Sequence, residues 1–236
     1  MNILTYLRVF YFQKKCRLGN NSDGGYVIGV LNEPYDCYIS AGVSDEESFS
    51  RDFINYYNMN KENSFAFDGT ITKYPTNYTK DIEFIKKNIN SFCDDNNDNL
   101  LYFMRKYKNI FLKMDIEGSE YNWLLNTNEN DLLSFKQIVM EFHGINDNSW
   151  GALYQQKFEC FKKLANTHYL IHIHGNNHSD RKNGIPDVIE ATFIRKDCFT
   201  SQPELNKINL PIPNLDFPCY TQRHDYNLSF PPFVNK

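Results

Sequence analysis

Asp115 and Glu117 stand two positions apart, directly after the apolar run Ile110–Met114 and directly before Gly118. A strand that ends on carboxylates and breaks at glycine brings acids to its carboxyl edge. In a parallel sheet that edge faces the ligand crevice. Acids inside the strand would be buried at high cost. Two further pairs of titratable residues stand two positions apart at strand ends. Glu141 and His143 end the run Gln137–His143, and strand alternation puts them on one face. His172 and His174 share a face in Tyr169–His174, with His174 beside Gly175-Asn-Asn177. Asp115, Glu141 and His143 can therefore converge. Two carboxylates and an imidazole suit either proton transfer or a hard to borderline divalent ion such as Mg²⁺ or Mn²⁺. The alternative is an ion pair of Glu141 with His143 or a lysine. His172 reads as structural. Glu117 has a second reading, as a cap on the following helix or as a residue that holds a loop.

The elements that position these residues have the order of a nucleotide-binding half. Tyr35–Ser44 is β-like and ends in Ser40-Ala-Gly42. Asp45–Tyr57 follows with Phe49, Phe53, Ile54 and Tyr57 at helical spacing, and Ser64–Asp68 is a second strand ending in an acid. Gly42 lets the backbone approach a ligand, and Asp68 can take ribose hydroxyls. There is no G-x-G-x-x-G, and Asp45 and Glu46 are expected in the first helical turn, where they repel a pyrophosphate. The pattern asks for a ribose without phosphates, and S-adenosylmethionine fits.

Asp23-Gly-Gly-Tyr26, Ser40-Ala-Gly-Val43, Phe67-Asp-Gly-Thr70, Leu112-Lys-Met-Asp-Ile-Glu-Gly118, Glu141-Phe-His143 and His174-Gly-Asn-Asn177 together resemble the FkbM-related class I S-adenosylmethionine-dependent methyltransferases, over residues 17 to about 197. The resemblance implies an α/β fold: a doubly wound, Rossmann-like, mostly parallel seven-stranded sheet. It implies O-methylation of a sugar hydroxyl, on a nucleotide-sugar or glycan or capsule precursor. A small phosphorylated metabolite, a protein side chain and a non-catalytic binding module are the rival readings. Cofactor contacts are expected from Asp23, Gly25, Ser40, Gly42, Ser48, Asp68, Gly69 and Asp115, with Asp115, Glu141, His143 and His174 catalytic. Asp23-Gly-Gly-Tyr26 reads as a hairpin turn from its Asp-Gly pair, and by resemblance as a loop closing over the cofactor. Arg17 is expected to pair with Asp23 or with the cofactor carboxylate.

The 236 residues suit one domain, here 1–200 with an N-terminal helix and DGGY loop over 1–34. A net charge of −4 and no basic run longer than two residues leave no nucleic-acid footprint. Six scattered cysteines without a C-x-x-C pair favour a reducing, cytoplasmic setting. No stretch has the length of a membrane span. Residues 1–12 read as an amphipathic helix, 81–89 as the third strand, 93–99 as a mobile loop, 99–107 as a helix, 119–125 as a helix on a Ser119 cap, and 150–166 as a helix. Six of nine prolines follow position 200, so 201–236 is expected to be an extended tail outside the sheet, wrapping the domain or joining an oligomer interface.

Overall fold

A computed structural model describes residues 2–235. Seven strands form its central sheet: β1 Cys37–Ala41, β2 Ser64–Phe67, β3 Glu83–Ile85, β4 Ile110–Met114, β5 Phe135–Phe142, β6 His168–Gly175 and β7 Ile189–Arg195. Their spatial order is β6-β7-β5-β4-β1-β2-β3. β7 runs antiparallel to both its neighbours, and every other pairing is parallel. The chain leaves β1 towards β2 and β3, then returns to β4 and β5 on the other side. That reversal opens a crevice beyond the ends of β1 and β4.

Strand alternation builds two cores. Tyr38, Phe111 and Val139 face one side and pack with Phe49, Phe53 and Ile54 of helix α1, Ser48–Tyr57. Their chain neighbours Ile39, Leu112 and Ile138 face the other side. There they join helices α2 Leu101–Lys106, α3 Glu120–Asn126, α4 Glu129–Leu132 and α5 Tyr154–Thr167. With both faces covered, all five residues of β4 are buried, which is why all but Lys113 are apolar. Among the described residues no helix is long and apolar enough to cross a membrane.

Several elements differ from expectation for local reasons. Residues 2–12 hold only a 3-10 turn, Ile3–Tyr6; burial then alternates through Leu7, Arg8 and Val9, and Phe10 bridges Leu205. Met1 lies outside the described residues. The third strand stops at Ile85, where the Lys87 N–H bonds back to the Ile85 carbonyl in a tight turn. Asn88–Ile89 then pairs with Asn97–Asp98 in a separate small ladder. The intervening loop, expected to be mobile, folds around Asp94, whose Oδ1 accepts the N–H groups of Asn96 and Asn97. Helix α5 starts at Tyr154 rather than Trp150, because Trp150 and Gly151 have φ of 53° and 72°. Helix α1 starts at Ser48, so Asp45 and Glu46 precede it; Glu46 Oε1 accepts the Ser48 N–H at 2.7 Å. Ser119 makes no capping bond.

Residues 201–235 contain neither helix nor named strand. They are nonetheless built into the core through Leu210, Leu228, Phe233 and Val234. Lys236 lies outside the described residues.

Candidate active site

A cavity of about 720 Å³ lies beyond the ends of β1, β2 and β4. That is the size of a small-molecule site. Gly42 shapes its floor at φ +82°; a Cβ there would sit 1.6 Å from the Asp115 carbonyl oxygen. No other residue type fits that position. Phe67 and Ile89 give the cavity apolar wall, and Asn88, Asn90 and Asn97 add amides. The charged residues of the lining are mostly acids: Asp23, Asp45, Glu46, Glu47, Asp68, Asp115 and Glu117, against Lys113 alone. Lys113 Nζ donates to the Gly42 carbonyl at 2.7 Å.

Asp68 lines the cavity, but its oxygens are occupied. Oδ2 accepts the N–H groups of Val43 and Ser44, both at 3.0 Å, and Oδ1 accepts the Thr70 N–H and hydroxyl at 2.7 and 2.5 Å. Burial opposes its ionisation, and these hydrogen bonds outweigh it, holding the carboxyl below the usual range. Four donors fill a carboxylate. Asp68 therefore organises the glycine loop, and a ribose hydroxyl would have to displace Thr70. Four more expected cofactor residues stand behind the cavity wall. Ser40 Oγ donates to Glu47 at 3.1 Å, and the Ser48 N–H is taken by Glu46. A Cβ on Gly25 would meet the Asn20 carbonyl at 1.9 Å, and one on Gly69 the Asn88 amide at 2.5 Å. Asp23 and Gly24 do face the cavity. They sit in the connection of an antiparallel hairpin, Lys15–Leu18 with Tyr26–Gly29. Arg17 pairs with neither Asp23 nor open space. Its guanidinium donates to the carbonyls of Asn20, Ser22 and Leu215, tying the hairpin to the tail.

At the inner end, Tyr26 Oη lies 3.2 Å from Asp115 and 3.4 Å from Glu141. Glu141 also accepts from Asn176 at 2.9 Å. Burial, with Asp115 and Glu190 nearby, pushes the Glu141 carboxyl well above its ordinary range. His143 turns Nε2 towards three carboxylates, at 3.4 Å from Glu117, 3.8 Å from Glu141 and 3.9 Å from Asp115. The expected trio of Asp115, Glu141 and His143 is thus assembled. The tighter donor set is Asp115, Glu117 and His143, because Glu141 groups with Asp23 and Glu190. Glu117 does not cap α3: its φ of +54° swings the carboxylate to the imidazole.

Glu120, unassigned from the sequence, completes the site from behind. Its Oε1 accepts the His143 N–H at 2.9 Å and lies 3.2 Å from Nδ1. Burial disfavours the imidazolium, but Glu120, Asp115 and Glu117 outweigh it and raise the His143 pKa. A glutamate in the first turn of a helix looks like any dipole-complementing acid; only the tertiary fold shows its partner. Tyr26, Lys113 and the asparagines at 88, 90 and 97 were missed because only the tertiary fold gathers them at one cavity.

His174 does not reach the cavity. Nδ1 lies 2.9 Å from Glu190 and Nε2 2.9 Å from Asp225 of the tail. Burial would lower its pKa, yet these carboxylates raise it well above the ordinary value. Both ring nitrogens are thus engaged by carboxylates, and His174 ties the tail to the sheet behind the site. His172 is bonded to Asp216 at 2.8 Å in a buried pair.

No curated protein matches the chain. The family model of the methyltransferase FkbM domain matches residues 12–180, which include Asp23, Tyr26, Gly42, Asp68, Asp115, Glu120, Glu141 and His143. On this match, over most of its 236 residues, the chain belongs to the FkbM methyltransferase-domain family.

Proposed function

We propose that this methyltransferase uses S-adenosylmethionine and methylates a hydroxyl of a sugar-like acceptor. The observation that carries the reading is the charge of the cavity lining, seven acids to one lysine that is itself bonded to Gly42. A ligand with a cationic centre, a free ammonium and ribose hydroxyls supplies the charge and donors that such a wall lacks. A phosphate would meet like charge. Phe67 and Ile89 offer an apolar surface for a purine, with the Asn88 and Asn90 amides beside it. The same argument favours an acceptor whose reacting end is neutral, over a phosphorylated metabolite.

When bound, S-adenosylmethionine supplies an electrophilic methyl group. The residues of the chain must align the acceptor hydroxyl and remove its proton. Asp115 lines the cavity and can accept that hydrogen bond. Tyr26 Oη orients the Asp115 carboxylate from one side, and His143, steered by Glu120, faces it from the other. The same donors suit Mg²⁺ or Mn²⁺.

The test is transfer of labelled methyl from S-adenosylmethionine to a panel of neutral sugars, their phosphorylated forms and protein acceptors. Label in a neutral sugar, lost in Asp115→Asn, is the expected result. Label only in phosphorylated or protein acceptors would refute the assignment.

A further inference from the structure

We propose that Asp115, Glu117 and His143 form a binding site for one divalent cation of the Mg²⁺ or Mn²⁺ class. The argument starts from His143 Nε2. The residue is only 4% exposed, and the nearest carboxylate to this nitrogen, Glu117, stands at 3.4 Å. Its other nitrogen is held by Glu120 at 3.2 Å, so the ring is aimed. What it is aimed at is carboxylate oxygen only, Glu117 at 3.4 Å and Asp115 at 3.9 Å. A direct imidazolium–carboxylate bond closes to about 2.7–2.9 Å. The donors here stand further apart, all within 4.8 Å of one another. Donors that share an ion at about 2.0–2.2 Å are separated by roughly 3–3.6 Å. A small contraction around a central ion gives all three a partner.

The donor types select the ion. One imidazole and two carboxylates suit a hard or borderline divalent metal, and three protein ligands leave positions for water or a hydroxyl. A carboxylate behind a ligating histidine fixes its tautomer and orientation, the part Glu120 would play. Glu141, although 3.8 Å from Nε2, is engaged by Asn176, and its oxygens gather with those of Asp23 and Glu190 instead. Trp150 packs on the imidazole, with ring centroids 4.8 Å apart, and covers one side of it. The inference does not depend on the identity of the methyl acceptor or on the cofactor.

The experiment is a titration of metal-stripped protein with Mn²⁺, followed by the loss of the free-ion electron paramagnetic resonance signal. One ion per chain is expected. Glu117 has a side chain 74% exposed, so Glu117→Gln leaves the core undisturbed and is the variant on which the test turns. It should weaken binding at least tenfold, and Glu120→Gln, which would not touch the ion, by about 10–100-fold. Excess Mg²⁺ should displace the Mn²⁺. Absence of binding to the wild-type protein, or equal binding by Glu117→Gln, would overturn the proposal. Calorimetry with S-adenosylmethionine in EDTA separates the two readings: cofactor binding without Mn²⁺ binding would sink the metal site and leave the methyltransferase reading standing.

Discussion

Chemistry at the residue scale was partly visible in one dimension. Asp115, Glu141 and His143 could be brought together from strand alternation and strand ends alone, and their side chains do meet. Glu120 could not, since its role depends on a contact with a residue 23 positions away. That contact yields a prediction. Glu120→Gln keeps the shape but removes the charge that steers the imidazole, and should lower kcat about 10–100-fold with cofactor affinity unchanged. Unaltered kcat in the folded variant would mean that His143 needs no steering. Gly42→Ala is the second. Its Cβ would overlap the Asp115 carbonyl at 1.6 Å on a positive-φ backbone. Loss of cofactor binding in steady calorimetric baselines is expected; an alanine variant that still binds would mean the loop is free to move.

Among the elements, sheet strands were the most legible, because burial on both faces writes continuous apolar runs. Helix starts were less so. Positive φ at Ser44, Trp150 and Glu117 displaces each start or its cap, and none of these residues is a glycine that would announce it. A contact between the first residues of β5 and β6 carries a pH prediction. His168 is buried, with Nε2 2.8 Å from the Phe135 carbonyl, and burial lowers its pKa from 6.5 to about 4. The folded state therefore binds fewer protons than the unfolded state, and this contribution is complete above pH 6.5 and lost as pH falls towards 4. On the order of 3 kcal/mol is at stake. His143 and His174 shift the opposite way, so the test is a comparison: denaturant midpoints of wild type and His168→Gln from pH 7 to about 4. A parallel fall in both would contradict the assignment.

For the molecule as a whole, the class of fold followed from strand–glycine–helix order, while the tail did not. It looked separable because prolines exclude it from the sheet. Yet Asp216 and Asp225 pair with His172 and His174 across 44 and 51 residues, separations without any local periodicity. Removing one partner of a buried pair costs about 3–5 kcal/mol. Asp216→Ala should lower stability by that amount, read as a shifted denaturant midpoint at constant slope, and deletion after 200 should prevent stable folding. A truncated chain with a cooperative melt would show the tail to be an appendage.

The seven acids that line the cavity with a single lysine are the molecule-scale feature on which the functional reading rests. Isothermal calorimetry with S-adenosylmethionine addresses it directly. One molecule should bind per chain, with affinity falling as salt rises and with no binding of a dinucleotide pyrophosphate at the same site. Tight binding of the pyrophosphate, or no heat with S-adenosylmethionine, would contradict the account.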